Sequence, residues 1–158
     1  MRDAENATVR LSEYAPPAYL IDEIALVFML EPEATIVAAS SHVRRSGAAP
    51  APLELSGERL DLQSISIDGE PLSMDKYRLE PGKLIILDPP AAFRLDIVTR
   101  INPAGNTHLE GLYMSGGRFC TQCEAEGFRA ITYFLDRPDV LARYAVRIEA
   151  DWNAYPTL

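Results

Sequence analysis

The chain has little of what metal, redox and nucleic-acid chemistry require. Its 158 residues include two histidines and two cysteines, and 23 acidic residues against 15 basic ones give a net charge of −8 at pH 7. A protein that binds nucleic acid needs a basic face to neutralise phosphates, so this balance argues against such a partner. The acidity would suit a cationic partner such as a peptide amine, although it serves solubility equally well.

The chain also lacks long hydrophobic runs and secretory features. No stretch approaches the roughly 20 apolar residues of a membrane-spanning helix. Residues 1–8 have neither the basic start nor the apolar core of a signal peptide. We therefore expect a cytoplasmic protein without a membrane partner, in which Cys120 and Cys123 are reduced thiols.

Several catalytic motifs are missing. A hydrolytic zinc site normally takes three protein ligands and leaves one position open. The sequence has no HExxH, and nothing ties its two histidines, His42 and His108, to each other or to a carboxylate. It also contains no Gly-x-Ser-x-Gly nucleophile motif and no phosphate-binding loop. The sequence therefore predicts no catalytic and no metal-binding residue in this chain.

What the chain does have is apolar alternation with a period of two, which is typical of strands with one buried face. The alternation runs through residues 24–30 and returns over residues 36–43 after a short loop containing a proline, which indicates a hairpin. It is clearest over residues 93–101 and repeats over residues 144–150. With 47% hydrophobic residues, the chain is long enough for one domain with its own core.

Weaker signals complete the fold prediction. The apolar phase slips between Leu62 and Ile65, as a β-bulge would require. Only residues 136–143 indicate a helical turn, with an acidic residue and a proline at the start. Strands about every 10–15 residues with almost no helix predict an all-β, mainly antiparallel sandwich or saddle, with one short helical turn, in a single domain over residues 1–158.

The most polar segment is residues 120–129, CTQCEAEGFR, between two β-like stretches. In an extended segment Gln122 and Glu124 would point to the same side, where a carboxylate and an amide oxygen could bind an ammonium group. A solvated strand edge explains the pattern equally well. Cys120 and Cys123 could form a redox pair or half of a zinc site, but the further ligands and the helix start that those sites need are absent, which favours two ordinary thiols.

Longer runs of the sequence resemble one known family, the bacterial aminopeptidases N. The resemblance is nearly word for word in NTHLEGLY (residues 106–113), CTQCEAEGFR (residues 120–129) and LDRPDVLAR (residues 135–143). The opening YAPPAY (residues 14–19) is similar to the start of that family. The similarity covers essentially the whole chain, loosely to residue 100 and tightly beyond it, and is more specific than any short motif.

The resemblance implies a zinc exopeptidase of the gluzincin class that removes one amino acid from a peptide's N-terminus. Its HExxH, a distant glutamate ligand and a GAMEN motif belong to a catalytic domain and do not occur in this sequence. Zinc is therefore expected only in the full-length enzyme, and this chain alone is expected to be inactive. By the same resemblance, Glu124 would bind the substrate's α-amino group, with Gln122 beside it at the first side-chain pocket.

The chain is thus expected to be the N-terminal part of a longer aminopeptidase. Its partners would be the N-terminus of a peptide substrate and its own catalytic domain. The alternative is a stand-alone, non-catalytic β-sandwich that binds another molecule. Either case predicts an exposed apolar patch, which we place around Tyr133, Phe134 and Leu135.

Overall fold

A computed structural model describes residues 11–156. Eleven strands account for most of the regular structure. In chain order they are β1 (Tyr19–Met29), β2 (Thr35–Arg45), β3 (Leu53–Ser56), β4 (Asp61–Ile67), β5 (Glu70–Pro71), β6 (Tyr77–Glu80), β7 (Lys83–Ile86), β8 (Ala92–Ile101), β9 (Gly111–Ser115), β10 (Arg118–Gln122) and β11 (Arg143–Glu149).

The strands form three sheets. The largest has six strands in the order β11-β1-β2-β8-β4-β5, and two smaller sheets have the orders β3-β7-β6 and β10-β9. Every pair is antiparallel except β1 and β11, which run parallel. The prediction of an all-β, mainly antiparallel fold is confirmed.

The predicted alternation sets the buried face of the large sheet. Along β1 the side chains of Ile24, Leu26 and Phe28 are buried. The same holds for alternate residues of β8 from Phe93 to Ile101. Thr99 is the polar member of that row, and its hydroxyl donates to the Ile131 carbonyl at 3.1 Å, so its burial leaves no unpaired donor. The predicted hairpin of β1 and β2 is confirmed.

The predicted irregularity in β4 is also present. The pairing of β4 with β8 shifts register between Leu62 and Ser64. This bulge lets Ile65 enter the core while Leu62 and Ile67 pack against its edge. The following hairpin turns at Asp68 and Gly69, whose φ angles of 52° and 88° are those of the tight turn that joins paired strands.

The helical turn predicted at residues 136–143 is absent from that place. Residues 138–139 form a simple turn instead. The reason lies in the two aspartates, because Asp136 accepts hydrogen bonds from Arg129 and Asp139 accepts them from Arg137, so neither carboxylate caps a helix. Single turns of 3-10 helix occur elsewhere, at Leu11–Glu13, Met74–Lys76 and Phe128–Ala130. Nowhere in residues 11–156 is there a helix of the length and apolarity that crossing a membrane requires.

The apolar patch expected at Tyr133, Phe134 and Leu135 is wrong, because all three side chains are buried. Phe134 exchanges two backbone hydrogen bonds with Ser56, at 2.8 and 3.1 Å, and this antiparallel bridge holds the segment beside the end of β3. The exposed apolar surface lies instead on β11. Its residues Val146 and Ile148 are 57% and 50% exposed, although their alternation predicted one buried face.

The three-stranded sheet β3-β7-β6 offers a direct test of burial. Leu84 on β7 and Leu79 on β6 are cross-strand partners, but Leu84 is fully buried and Leu79 is 52% exposed. We expect Leu84→Ala to lower the free energy of unfolding by about 2–5 kcal/mol, because it removes buried methyl groups and leaves a cavity. The matched change Leu79→Ala should cost less than about 1 kcal/mol. Urea denaturation measures the free energy of unfolding of both variants, and equal losses would contradict the difference in burial between Leu84 and Leu79.

Candidate functional site

The candidate site is the polar turn, which we define as residues 122–127. It follows the hairpin of β9 and β10, whose own turn uses Gly116 and Gly117 at positive φ. Strand β10 ends at Gln122, and the chain then turns so that the Gly127 amide donates to the Cys123 carbonyl at 2.8 Å. The prediction of one extended segment through Gln122 and Glu124 is therefore wrong at Glu124, which lies in the turn.

Two glycines allow the polar turn to pack this closely. A Cβ on Gly127 would lie 2.5 Å from the Gln122 carbonyl oxygen, which is backbone and cannot move aside. A Cβ on Gly111 would lie 2.8 Å from the Cβ of Ala130, and Gly111 also has φ of +70°. Larger side chains at either position would push the polar turn away from β9, so the sequence fixes its location through these glycines.

Gln122 and Glu124 are still brought together, by a hydrogen bond rather than by strand geometry. The Gln122 side-chain amide donates to the Glu124 backbone carbonyl at 3.3 Å. Both residues are exposed. Within residues 11–156 the Glu124 carboxylate has no cationic partner. It is thus a solvated anion on an anchored backbone, an arrangement that can accept hydrogen bonds from an ammonium group.

Arg129, two residues after the polar turn, forms an ion pair with Asp136 and a second one with Glu126 of the turn. Asp136 Oδ2 accepts hydrogen bonds from the Arg129 backbone amide at 3.1 Å and from Arg129 Nε at 2.9 Å. The same guanidinium donates to the Asp136 carbonyl and lies 3.2 Å from the Glu126 carboxylate. The side chains of Arg129 and Asp136 are only 19% and 13% exposed, so the pair is largely desolvated. Arg129 forms ion pairs with these two carboxylates and none with Glu124.

A large apolar groove borders the polar turn on one side, with a volume of about 690 Å³. Its walls come from β1, β10, β11 and the segment 123–136. Phe128 lies in this wall and makes edge-on contacts with the rings of Phe134 and Tyr144, at centroid distances of 4.9 and 5.6 Å. Glu124 and Gln122 are not among the lining residues, so the groove and the exposed carboxylate are separate features.

Cys120 and Cys123 are both free thiols. Cys123 is half-buried in the wall of the groove, and this burial, followed by the nearby charge of Asp136, raises the pKa of its thiol. Reactive cysteines need the opposite, a lowered pKa in an electropositive setting. This environment supports the prediction of ordinary thiols over a redox pair.

The histidines lie apart from the polar turn and from each other. His42 is on β2 with its side chain 61% exposed, and its Nδ1 is 3.7 Å from a Glu23 carboxylate oxygen. His108 is exposed in the loop before β9. Over residues 11–156 no three His, Cys, Asp or Glu side chains cluster in a way that could hold a metal ion. The described residues therefore do not fit a zinc site.

Sequence reasoning missed the groove and the buried ion pair. Phe119, Phe128 and Tyr144 line the groove together, but they come from three separate segments and no local pattern connects them. The alternation of β11 was the available signal, since it marks an apolar face without saying what covers it. The Arg129–Asp136 pair could not be predicted, because outside a helix a spacing of seven residues does not indicate that two side chains are close.

Comparison with known proteins defines the class of this domain. Residues 52–155 match the family described as the peptidase M1 N-terminal domain. That range includes β3 to β11, both smaller sheets and the polar turn. The chain belongs to this family, and the resemblance stated from the sequence is confirmed.

Individual relatives extend the match over nearly the whole chain. Aminopeptidase N of Caulobacter vibrioides is 54% identical over 96% of the chain, and aminopeptidase N of Escherichia coli is 51% identical over 92%. The chain spans only 18% and 17% of the lengths of these two relatives.

Solved structures agree on the fold. Aminopeptidase A of Legionella pneumophila, crystallised with aspartic acid, is 29% identical with a TM-score of 0.86, over 94% of this chain and 18% of that one. An M1 zinc metallopeptidase of Deinococcus radiodurans, crystallised with a Tyr-Ser-Ala substrate, has a TM-score of 0.69 at 15% identity, over 84% of this chain and 33% of that one. The second likeness concerns the fold alone.

The environment of Cys123 predicts slow thiol chemistry. Because burial raises the pKa of this thiol, less of it is thiolate at a given pH, and iodoacetamide should alkylate it more slowly than it alkylates glutathione at pH 8. The Cys120→Ser protein isolates the Cys123 signal for mass spectrometry, and Cys123→Ser gives the matching profile for Cys120. A Cys123 alkylation curve that rises at lower pH than the glutathione curve would contradict this environment.

Proposed function

We propose that this chain is the N-terminal domain of a zinc-dependent aminopeptidase that releases N-terminal amino acids from peptides. The proposal rests on membership of the peptidase M1 N-terminal domain family and on relatives that are named aminopeptidase N over 92–96% of the chain. Zinc and the hydrolytic residues would belong to the rest of the longer enzyme, and the 158 residues alone would not hydrolyse peptides. The absence of a zinc-fitting cluster in residues 11–156 is compatible with that division. We assign the enzyme to the cytoplasm.

Within this function we propose that Glu124 binds the free α-amino group of the substrate and that Gln122 lies beside it at the first side-chain pocket. One observation carries the proposal: Glu124 presents an exposed carboxylate without a cationic partner in the described part of the chain, on a backbone that Gln122 anchors at 3.3 Å. An ammonium group held at a fixed place would restrict cleavage to chain ends, because only an unblocked N-terminus provides that charge.

The mass of the native polypeptide tests the first part of the proposal. An antibody raised against this domain should detect, in the source cells, a band several times heavier than 17.5 kDa. Detection of a band at 17.5 kDa alone would overturn the assignment to a longer enzyme. It would favour the stand-alone binding domain, for which the exposed face of β11 would be the contact surface.

Kinetics of the longer enzyme test the role of Glu124. We expect Glu124→Ala to lower kcat/KM for peptides with a free N-terminus. The loss of transition-state binding should be about 2–4 kcal/mol if the ammonium–carboxylate pair is desolvated in the complex.

Glu126→Ala is the matched control for that experiment. It removes a carboxylate from the same turn, but one that already lies 3.2 Å from Arg129, so its effect on kcat/KM should be much smaller. An unchanged kcat/KM in Glu124→Ala would remove the anchor role while leaving the assignment to the aminopeptidase family intact.

A further inference from the structure

The polar turn is continuous with the single 3-10 turn that follows it. Inside the polar turn the Gly127 amide donates to the Cys123 carbonyl at 2.8 Å. The Gly127 carbonyl in turn accepts a hydrogen bond from the Ala130 amide at 3.1 Å, across the 3-10 turn Phe128–Ala130. The contacts of Arg129, which lies in the middle of that 3-10 turn, therefore determine where the polar turn lies.

Arg129 is held at both its backbone and its side chain. Its carbonyl accepts a hydrogen bond from the Glu58 amide at 2.9 Å. One oxygen of Asp136, Oδ2, accepts from the Arg129 backbone amide at 3.1 Å and from Nε at 2.9 Å, and Nη2 donates to the Asp136 carbonyl at 2.9 Å. Both side chains are largely buried, so water competes little for these three bonds.

Asp136 itself has a fixed position, because the segment before it is attached to two sheets. The Thr99 hydroxyl of β8 donates to the Ile131 carbonyl at 3.1 Å. Ser56, the last residue of β3, exchanges two backbone hydrogen bonds with Phe134. Asp136 follows this attached segment directly, so its carboxylate connects the end of the polar turn to the sheets.

The contact between Arg129 and Glu126 is a weaker part of this network. The Glu126 side chain is 62% exposed, and ion pairs at such exposure contribute little. The attachment of the polar turn therefore depends on the buried bonds between Arg129 and Asp136, which agrees with the small effect expected for Glu126→Ala.

We propose that Arg129 and Asp136 are positioning residues for the Glu124 anchor. They fix the polar turn so that the Glu124 carboxylate meets the substrate's α-ammonium group without a further cost of ordering the backbone. Neither residue is the anchor itself, because Arg129 has the same charge as the ammonium and Asp136 already accepts hydrogen bonds from Arg129. The inference rests on the proposed role of Glu124.

Steady-state kinetics of the longer enzyme test the proposal with Arg129→Met/Asp136→Leu. This variant removes all three bonds but leaves no unpaired buried charge, so it avoids the main cause of unfolding in a single substitution. We expect KM for peptides with a free N-terminus to rise about tenfold with kcat changed less than about twofold, because the ammonium is bound equally in the substrate and transition-state complexes. Loss of folded enzyme alone would lower kcat and leave KM unchanged.

Two further variants serve as controls. Asp136→Asn retains a side-chain oxygen that accepts from Arg129, so it should keep KM closer to the starting value. Arg137→Met/Asp139→Leu removes the neighbouring ion pair of the same segment, which has no contact with the polar turn, and should leave KM unchanged.

A double-mutant cycle separates this inference from the role of Glu124. Added to Glu124→Ala, the Arg129→Met/Asp136→Leu change should raise KM no further, because the anchor that it positions is already gone. If Glu124→Ala raises KM and Arg129→Met/Asp136→Leu does not, the positioning role is overturned and the anchor role stands. An additive rise in KM would also overturn the positioning role. An unchanged KM in Glu124→Ala would overturn both roles.

Discussion

Burial of one face of β1 is the constraint on which the rest of the fold depends. β1 has a strand on each side, and its inward residues, Ile24, Leu26 and Phe28, fix the register of both neighbours. Side chains alternate with a period of two, so a slip of one residue would turn this whole set toward solvent. β2 in turn pairs with β8, in which Thr99 is one of the buried alternate residues. The Thr99 hydroxyl donates a hydrogen bond to the Ile131 carbonyl, in the segment that follows the polar turn.

That last contact explains why a polar turn can have a defined place at the end of a short hairpin. Segment 128–136 is attached to the rest of the domain by Thr99 at Ile131, by Ser56 at Phe134 and by the Glu58 amide at the Arg129 carbonyl. The Arg129–Asp136 pair joins the two ends of the segment. Breaking such a pair by removing one partner is costly, because the other charge stays buried without compensation. Arg129 therefore has a structural role, and the other carboxylate of the turn, Glu124, is the one to which the proposed anchor role is given.

Sequence patterns predicted the features that are local. Alternation along β8 and the bulge in β4 each depend on a few adjacent residues, and both are present. The failures come from contacts that a periodic pattern does not show. The bridge between Ser56 and Phe134 accompanies the burial of three consecutive residues, 133–135, which have no periodic pattern. The aspartates that resembled helix caps accept hydrogen bonds from arginines instead. The family resemblance pointed to Gln122 and Glu124, but their geometry depends on two close glycine contacts that no spacing shows.

The apolar groove and the Glu124 carboxylate differ in chemistry, and Glu124 is not among the residues that line the groove. The groove is lined by apolar side chains of β1, β10 and β11, with Asp136 already paired to Arg129, so it suits another polypeptide surface more than a small cation. The Glu124 carboxylate lies outside that lining and suits an ammonium group. The hydrogen bonds that hold the polar turn come from Gln122, Arg129 and Asp136 and involve no residue of β11. The proposed anchor role of Glu124 therefore does not depend on what covers the groove.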